Sequence, residues 1–72
     1  KMRLRDLRED RDLTQSQIAK FLNIKQNSYS QYENGTRQIP LDALIKLADF
    51  YDTSVDYILG ITNQIKSYPR IK

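Results

Sequence analysis

The chain has no cysteine, no histidine and no tryptophan, and only two glycines and two prolines. Without cysteine there is no disulfide and no thiol nucleophile, and without histidine there is no side chain that ordinarily changes charge near neutral pH. The usual zinc ligands are missing with them, so neither a metal nor a cofactor is expected. Most familiar catalytic constellations cannot be assembled from what remains, and an enzyme is not expected. The carboxylates of Asp6, Glu9, Asp10 and Asp12 ask for no more than a solvated helix face. No apolar stretch approaches the roughly 18 residues of a membrane span, and the start is not basic then apolar as a leader would be. The expectation is a chain without a membrane partner, located in the cytoplasm.

Seventy-two residues are room for one small core, since a shorter chain buries a smaller fraction of its surface. With no disulfide or metal to staple it, close helix packing is what is left to hold it. No internal repeat and no alternating pattern of strand length is present. Residues 1–40 hold eight Lys/Arg against five Asp/Glu, residues 41–60 one against four, and residues 61–72 three against none. The basic surplus sits on the first half and the tail, which suits a polyanion.

Leu4 and Leu7 put a narrow apolar stripe on a first helix over about Met2 to Arg11. Thr14 to Gln17 has the spacing of a capping box, with Leu13 and Ile18 as a hydrophobic staple. A second helix then runs from Gln15 to about Leu22, its inner face made by Ile18, Ala19 and Leu22. Asn23 follows where the chain must turn, a residue that tolerates left-handed backbone. A third helix spans about Gln26 to Glu33 and stops at Asn34-Gly35. Ile39-Pro40 opens a fourth whose apolar residues Leu41, Leu44, Ile45, Leu47, Ala48 and Phe50 cover a wide arc, so it is expected to be the most buried element. Ser54 caps a short fifth helix, Val55 to Leu59, ended by Gly60. Ile61, Ile65 and Tyr68 fit one face of a further helical turn, or a frayed tail.

The third helix separates its side chains by type. At about 100° per residue, Gln26, Asn27, Ser30, Gln31 and Asn34 gather on one face while Tyr29 and Tyr32 fall on the other. A solvated face usually mixes Lys with Glu. A face of amides and hydroxyls without an acid instead offers paired donors and acceptors, as base edges in a major groove require. A merely polar solvated face is the other reading.

The run Thr14-Gln15-Ser16-Gln17-Ile18-Ala19, then Leu22-Asn23-Ile24, then Tyr29 and Tyr32-Glu33-Asn34-Gly35, resembles the helix-turn-helix of the phage-repressor family known as the Xre or Cro/C1 type. The likeness continues through Ile39-Pro40-Leu41-Asp42, Leu44 to Ala48 and Ser54 to Gly60. It implies an all-α, compact five-helix, lambda-repressor-like domain over residues 1–60, with the motif formed by its second and third helices, and a tail over residues 61–72. It further implies sequence-specific duplex DNA binding as a transcriptional regulator, more often a repressor.

Carried over residue by residue, the likeness makes Ala19 the point where the motif's two helices cross. Gln26, Asn27, Ser30 and Gln31 become the base readers. Gln15, Lys25, Asn34, Thr36 and Arg37 become phosphate contacts, Gln15 helped by the amides at its helix start. Arg8 and Glu33 become a pair joining the first helix to the end of the third. For Gln15, an ordinary first-turn residue is the alternative; for Asn34, Thr36 and Arg37, turn chemistry.

The chain departs from the family pattern at four positions. Asn23 stands for Gly. Lys25 stands for a capping Ser or Thr, so the third helix is expected to start a residue late or to borrow Asn27 or Ser28 as its cap. Tyr29 and Tyr32 stand for smaller aliphatics and could bring a hydroxyl to a phosphate. One domain makes few base contacts, so a homodimer on a near-palindromic operator is expected, joined through the fifth helix and the Ile61 to Tyr68 stripe. The rival reading is a protein-interaction module, an antitoxin or adaptor, on the same scaffold. A first residue of Lys1 is compatible with a piece of a longer protein that has an effector domain or a partner protein.

Overall fold

The computed structural model describes residues 2–67 and 69. Five helices follow one another: α1 (Leu4–Asp10), α2 (Gln15–Leu22), α3 (Gln26–Asn34), α4 (Leu41–Phe50) and α5 (Val55–Leu59). No strand occurs among the described residues.

Each helix ends in the same way. The residue one or two places past its last turn is left-handed: Asp12, Asn23, Gly35, Asp52 and Gly60, with φ between 53° and 81°. At every end the next backbone N–H reaches back five residues: Leu13 to Arg8, Ile24 to Ala19, Thr36 to Gln31, Thr53 to Ala48 and Ile61 to Asp56, all at 2.9–3.1 Å. The left-handed residue itself donates three residues back, at 3.0–3.3 Å. This is the Schellman arrangement, which satisfies carbonyls that a helix end would otherwise orphan. Asp and Asn serve where glycine is absent because short polar side chains tolerate this backbone. The reversal at each end is tight, and it is what lets five short helices fold onto one core.

The beginnings are less uniform. Thr14 and Gln17 form the full capping box, the hydroxyl accepting from the Gln17 N–H at 3.1 Å and the Gln17 amide oxygen accepting from the Thr14 N–H at 2.8 Å. Ser54 accepts from the Tyr57 N–H at 3.0 Å. Lys25 stands before α3 with extended backbone (φ −74°, ψ 149°) and makes no side-chain cap. The expected late start is corrected by this. Gln26 is the first helical residue, because the Asn23 turn and buried Tyr29 fix where α3 begins.

Leu4, Leu7, Ile18, Ala19, Leu22, Tyr29, Tyr32, Ile39, Leu44, Leu47, Ala48, Tyr51 and Ile58 form one core. The expectation for α4 needs correcting. Leu44, Leu47 and Ala48 are buried, but Leu41 and Ile45 are exposed and Phe50 is only half-buried, its ring tilted against that of exposed Phe21 with centres 4.8 Å apart. A chain this short has too little mass to cover every apolar residue of a wide arc.

Residues 61–67 form no helix, so the helical alternative for the Ile61–Ile65 stripe is also corrected; Tyr68 lies outside the described residues. The segment is tied down instead. Arg3 donates to the carbonyls of Tyr57 (2.6 Å) and Thr62 (2.7 Å) and to Asn63 Oδ1 (2.7 Å), with its guanidinium 4.2 Å from the centre of the Tyr57 ring. The Thr53 hydroxyl donates to the Ile65 carbonyl.

The α4 geometry gives a test within one helix. Leu47→Ala, at 0% exposure, is expected to cost about 2–5 kcal/mol in denaturant unfolding. Leu41→Ala, at 66% exposure, is expected to stay within about 0.5 kcal/mol of the unmodified chain.

Candidate nucleic-acid interface

The candidate interface is α3 and the segments at its two ends, held by α2 and α1. Ala19 is buried in the core, and its carbonyl accepts from the Ile24 N–H at 2.9 Å in the turn that leads to α3. Tyr29 and Tyr32 are buried too, so α3 is anchored on one side and presents the other. Gln26, Asn27 and Gln31 are exposed and Ser30 is half-buried. Lys25, Asn34, Thr36 and Arg37 are exposed around the same helix. The structure therefore brings the sequence-derived base readers together on one surface, with Lys25 at one end and Asn34, Thr36 and Arg37 at the other. Thr36 is engaged in turn chemistry, its hydroxyl donating to the Gln31 carbonyl at 3.4 Å.

Glu33 is the only acid of α3, and it points inward. Its side chain is 0% exposed. Arg8 Nε donates to Oε2 at 2.7 Å and Nη2 to Oε1 at 3.2 Å, a two-pronged pair. Arg8 Nη1 is taken by the Leu13 carbonyl at 2.8 Å, so the same guanidinium also fixes the chain entering α2. Gln15 Nε2 donates to Glu33 Oε1 at 3.1 Å. One carboxylate thus joins α1, α2 and α3.

Burial alone would raise the Glu33 pKa, but the hydrogen bonds from Arg8 and Gln15, with the Tyr29 hydroxyl close by, hold it below the usual carboxylate range. The Arg8 guanidinium is held above its ordinary value, chiefly by its bond to Glu33. Burial, then Glu33, pushes the Tyr29 hydroxyl up; burial and the same carboxylate push Tyr51 up to about 12. Both hydroxyls are buried without a hydrogen bond of good geometry. For Tyr29 this corrects the expectation that an α3 tyrosine could bring a hydroxyl to a phosphate: its ring and hydroxyl are both committed to the core.

Two features escaped sequence reasoning. Gln15, expected at a phosphate, spends one amide N–H on Glu33, and a second N–H is left for another acceptor. Arg5, not singled out at all, lies with Nε 3.9 Å from Glu33 Oε1. Its spacing was a usable signal: Arg5 and Arg8 stand at i, i+3 and so share a face of α1.

Among the described residues no group of His, Cys, Asp and Glu could hold a metal ion, and no helix is long and apolar enough to cross a membrane. Chemically the surface can offer paired amide donors and acceptors to a planar, hydrogen-bonding partner, with cations at its margins.

These features define a helix-turn-helix: α2 and α3 packed on each other, a tight turn between them and a polar outer face on the second. The chain belongs to the helix-turn-helix family of the Xre or Cro/C1 type, whose model, described as "Helix-turn-helix", matches residues 4–58. It is 49% identical over 61 residues to the uncharacterized HTH-type transcriptional regulator YobD of Bacillus subtilis, covering 85% of this chain and 54% of that protein. It is 41% identical to the HTH-type transcriptional regulator ImmR of the same organism, over 81% of this chain and 46% of the relative. It is 40% identical to the cryptic phage CTXphi transcriptional repressor RstR of Vibrio cholerae, over 96% of this chain and 67% of that repressor. The chain thus spans about half the length of the first two relatives. No solved structure matches it at a significant level.

The buried pair yields two measurable outcomes. Glu33→Gln leaves Arg8 without its countercharge and is expected to cost about 3–5 kcal/mol in denaturant unfolding. The pH dependence has a definite sign. Glu33 is more acidic folded than unfolded, so its contribution is present above its unfolded pKa of about 4.3 and is lost as pH falls through the lower folded value. Stability titrated downward from about pH 5 should fall for the unmodified chain with a component that Glu33→Gln lacks; parallel curves would refute the assignment.

Proposed function

We propose that this chain is the DNA-reading domain of a transcriptional regulator, a repressor, that acts by binding and not by catalysis. The observation that carries this is the α3 face: exposed Gln26, Asn27 and Gln31 with half-buried Ser30, and the helix's only acid turned inward. Glutamine and asparagine can bond adenine N6 and N7 together, and serine suits several bases. Gln15, Lys25, Asn34 and Arg37 are assigned to phosphates, which fix register without reading sequence; Thr36 joins them by turning its hydroxyl from the Gln31 carbonyl to a phosphate oxygen. The similarity to transcriptional regulators and to a phage repressor supports the same reading.

The regulator works in the cytoplasm as a homodimer on a near-palindromic operator, with half-sites about 34–36 Å apart. Exposed Ile61 and Ile65, together with α5, are the proposed dimer surface. The remaining length of a relative such as ImmR leaves room for an effector domain in the whole protein.

A binding selection on randomised duplex DNA tests this: an enriched two-fold symmetric motif is expected. On that duplex, Gln26→Ala and Gln31→Ala should each cost roughly 1–3 kcal/mol and relax preference at one base pair. Gln15→Ala should weaken every sequence alike. Equal losses on all sequences for all three variants would remove the base-reading assignment, and no enrichment would favour a protein-binding module.

A further inference from the structure

We propose that Arg5 is a DNA-backbone contact, extending the interface from α3 onto α1; the inference rests on the DNA-binding reading above. Its side chain is 61% exposed and its approach to Glu33 is a long 3.9 Å. Glu33 has no need of it. Both carboxylate oxygens already accept from Arg8, at 2.7 and 3.2 Å, and Oε1 accepts from Gln15 as well. Two guanidinium groups therefore converge on one carboxylate, and the buried one neutralises it. Arg5 is the surplus charge, and it faces outward.

Its surroundings fit a phosphate. Arg5 lines a hollow of about 650 Å³ with Arg3, Asp6, Glu33 and Asn34. Asn34 is one of the assigned phosphate contacts, at the end of the reading helix, so a backbone phosphate held there lies within the space that Arg5 borders. The other cation of the hollow is not available: Arg3 is committed to the carbonyls of Tyr57 and Thr62, to Asn63 and to the Tyr57 ring. Asp6 opposes an anion, but Arg3 and Arg5 together outweigh it once Glu33 is neutralised by Arg8 from behind. A guanidinium offers a planar fork that matches two phosphate oxygens. Holding Arg5 near Glu33 in the free protein keeps it beside the groove edge without tying it down.

Fluorescence anisotropy on the selected duplex and on an unrelated one, across a salt series, tests the proposal. Arg5→Gln should weaken binding equally on both, by roughly fivefold per protomer near 0.15 M salt, and make the slope of log affinity against log salt shallower by about 0.9 per protomer. Arg5→Lys should retain most of that slope, and the melting temperature of both variants should match the unmodified chain. An unchanged slope in Arg5→Gln while the unmodified chain binds would overturn the Arg5 assignment alone. So would a lowered melting temperature that accounts for the loss and is shared by Arg5→Lys. Failure of the unmodified chain to bind either duplex would overturn the DNA-binding reading, and Arg5 with it.

Discussion

A carboxylate removed from water must be compensated, and in this chain the compensation of Glu33 organises the functional half of the molecule. Arg8 and Gln15 come from two different helices to meet it, and the guanidinium that neutralises Glu33 also holds the Leu13 carbonyl where the chain turns into α2. A buried pair of this kind is weak evidence for stability as such, since desolvating two charges costs about what their attraction returns. Its value here is positional. The pair is satisfied only when α1, α2 and α3 stand in one arrangement, and that arrangement fixes the rotation of α3 about its own axis. With Tyr29 and Tyr32 buried on one side, no other side can face outward than the one with Gln26, Asn27 and Gln31.

The framework within which this pair forms is built from helix ends. Five left-handed residues, each followed by a long backward hydrogen bond, turn the chain five times in the space of a short domain. Three of these turns were legible in the sequence, because Asn23, Gly35 and Gly60 are residues that favour such backbone. Asp12 and Asp52 did not declare their conformation, since an aspartate beside a helix is usually a solvated surface residue. The helices themselves were legible for a different reason. The capping box at Thr14 and the cap at Ser54 are local motifs whose partners lie three residues away, so no tertiary information is needed to place them.

What could not be read depends on non-local geometry. The apolar arc of α4 says which residues could be buried, while the amount of protein available to cover them decides which ones are; Leu41 and Ile45 remain outside. The start of α3 was expected to shift because Lys25 cannot cap. Packing of Tyr29 and the turn at Asn23 overrode that local preference, as tertiary context commonly does. The tail was ambiguous in sequence because spacing i, i+4 is compatible with a helix that has nothing to pack on. Its observed course is set by Arg3 and Thr53, residues remote in sequence that no periodicity reveals.

The candidate site divides along the same line. The amide face of α3 was legible because a helix sorts its own residues by type, whereas Arg5 lies on another helix and gains its meaning from the carboxylate it approaches. That difference bears on how such a surface can work. Uncharged amides discriminate among bases but add little long-range attraction, while cations attract any duplex and discriminate poorly. Placing the only acid of α3 inside, and cations outside at the margins, lets both kinds of group act on one ligand without interfering. Were Glu33 turned outward, it would repel the backbone beside Asn34 and leave Arg8 uncompensated in the core. The inward carboxylate therefore serves structure and electrostatics at once: the charge that fixes α3 is compensated by Arg8 and kept off the helix's exposed face.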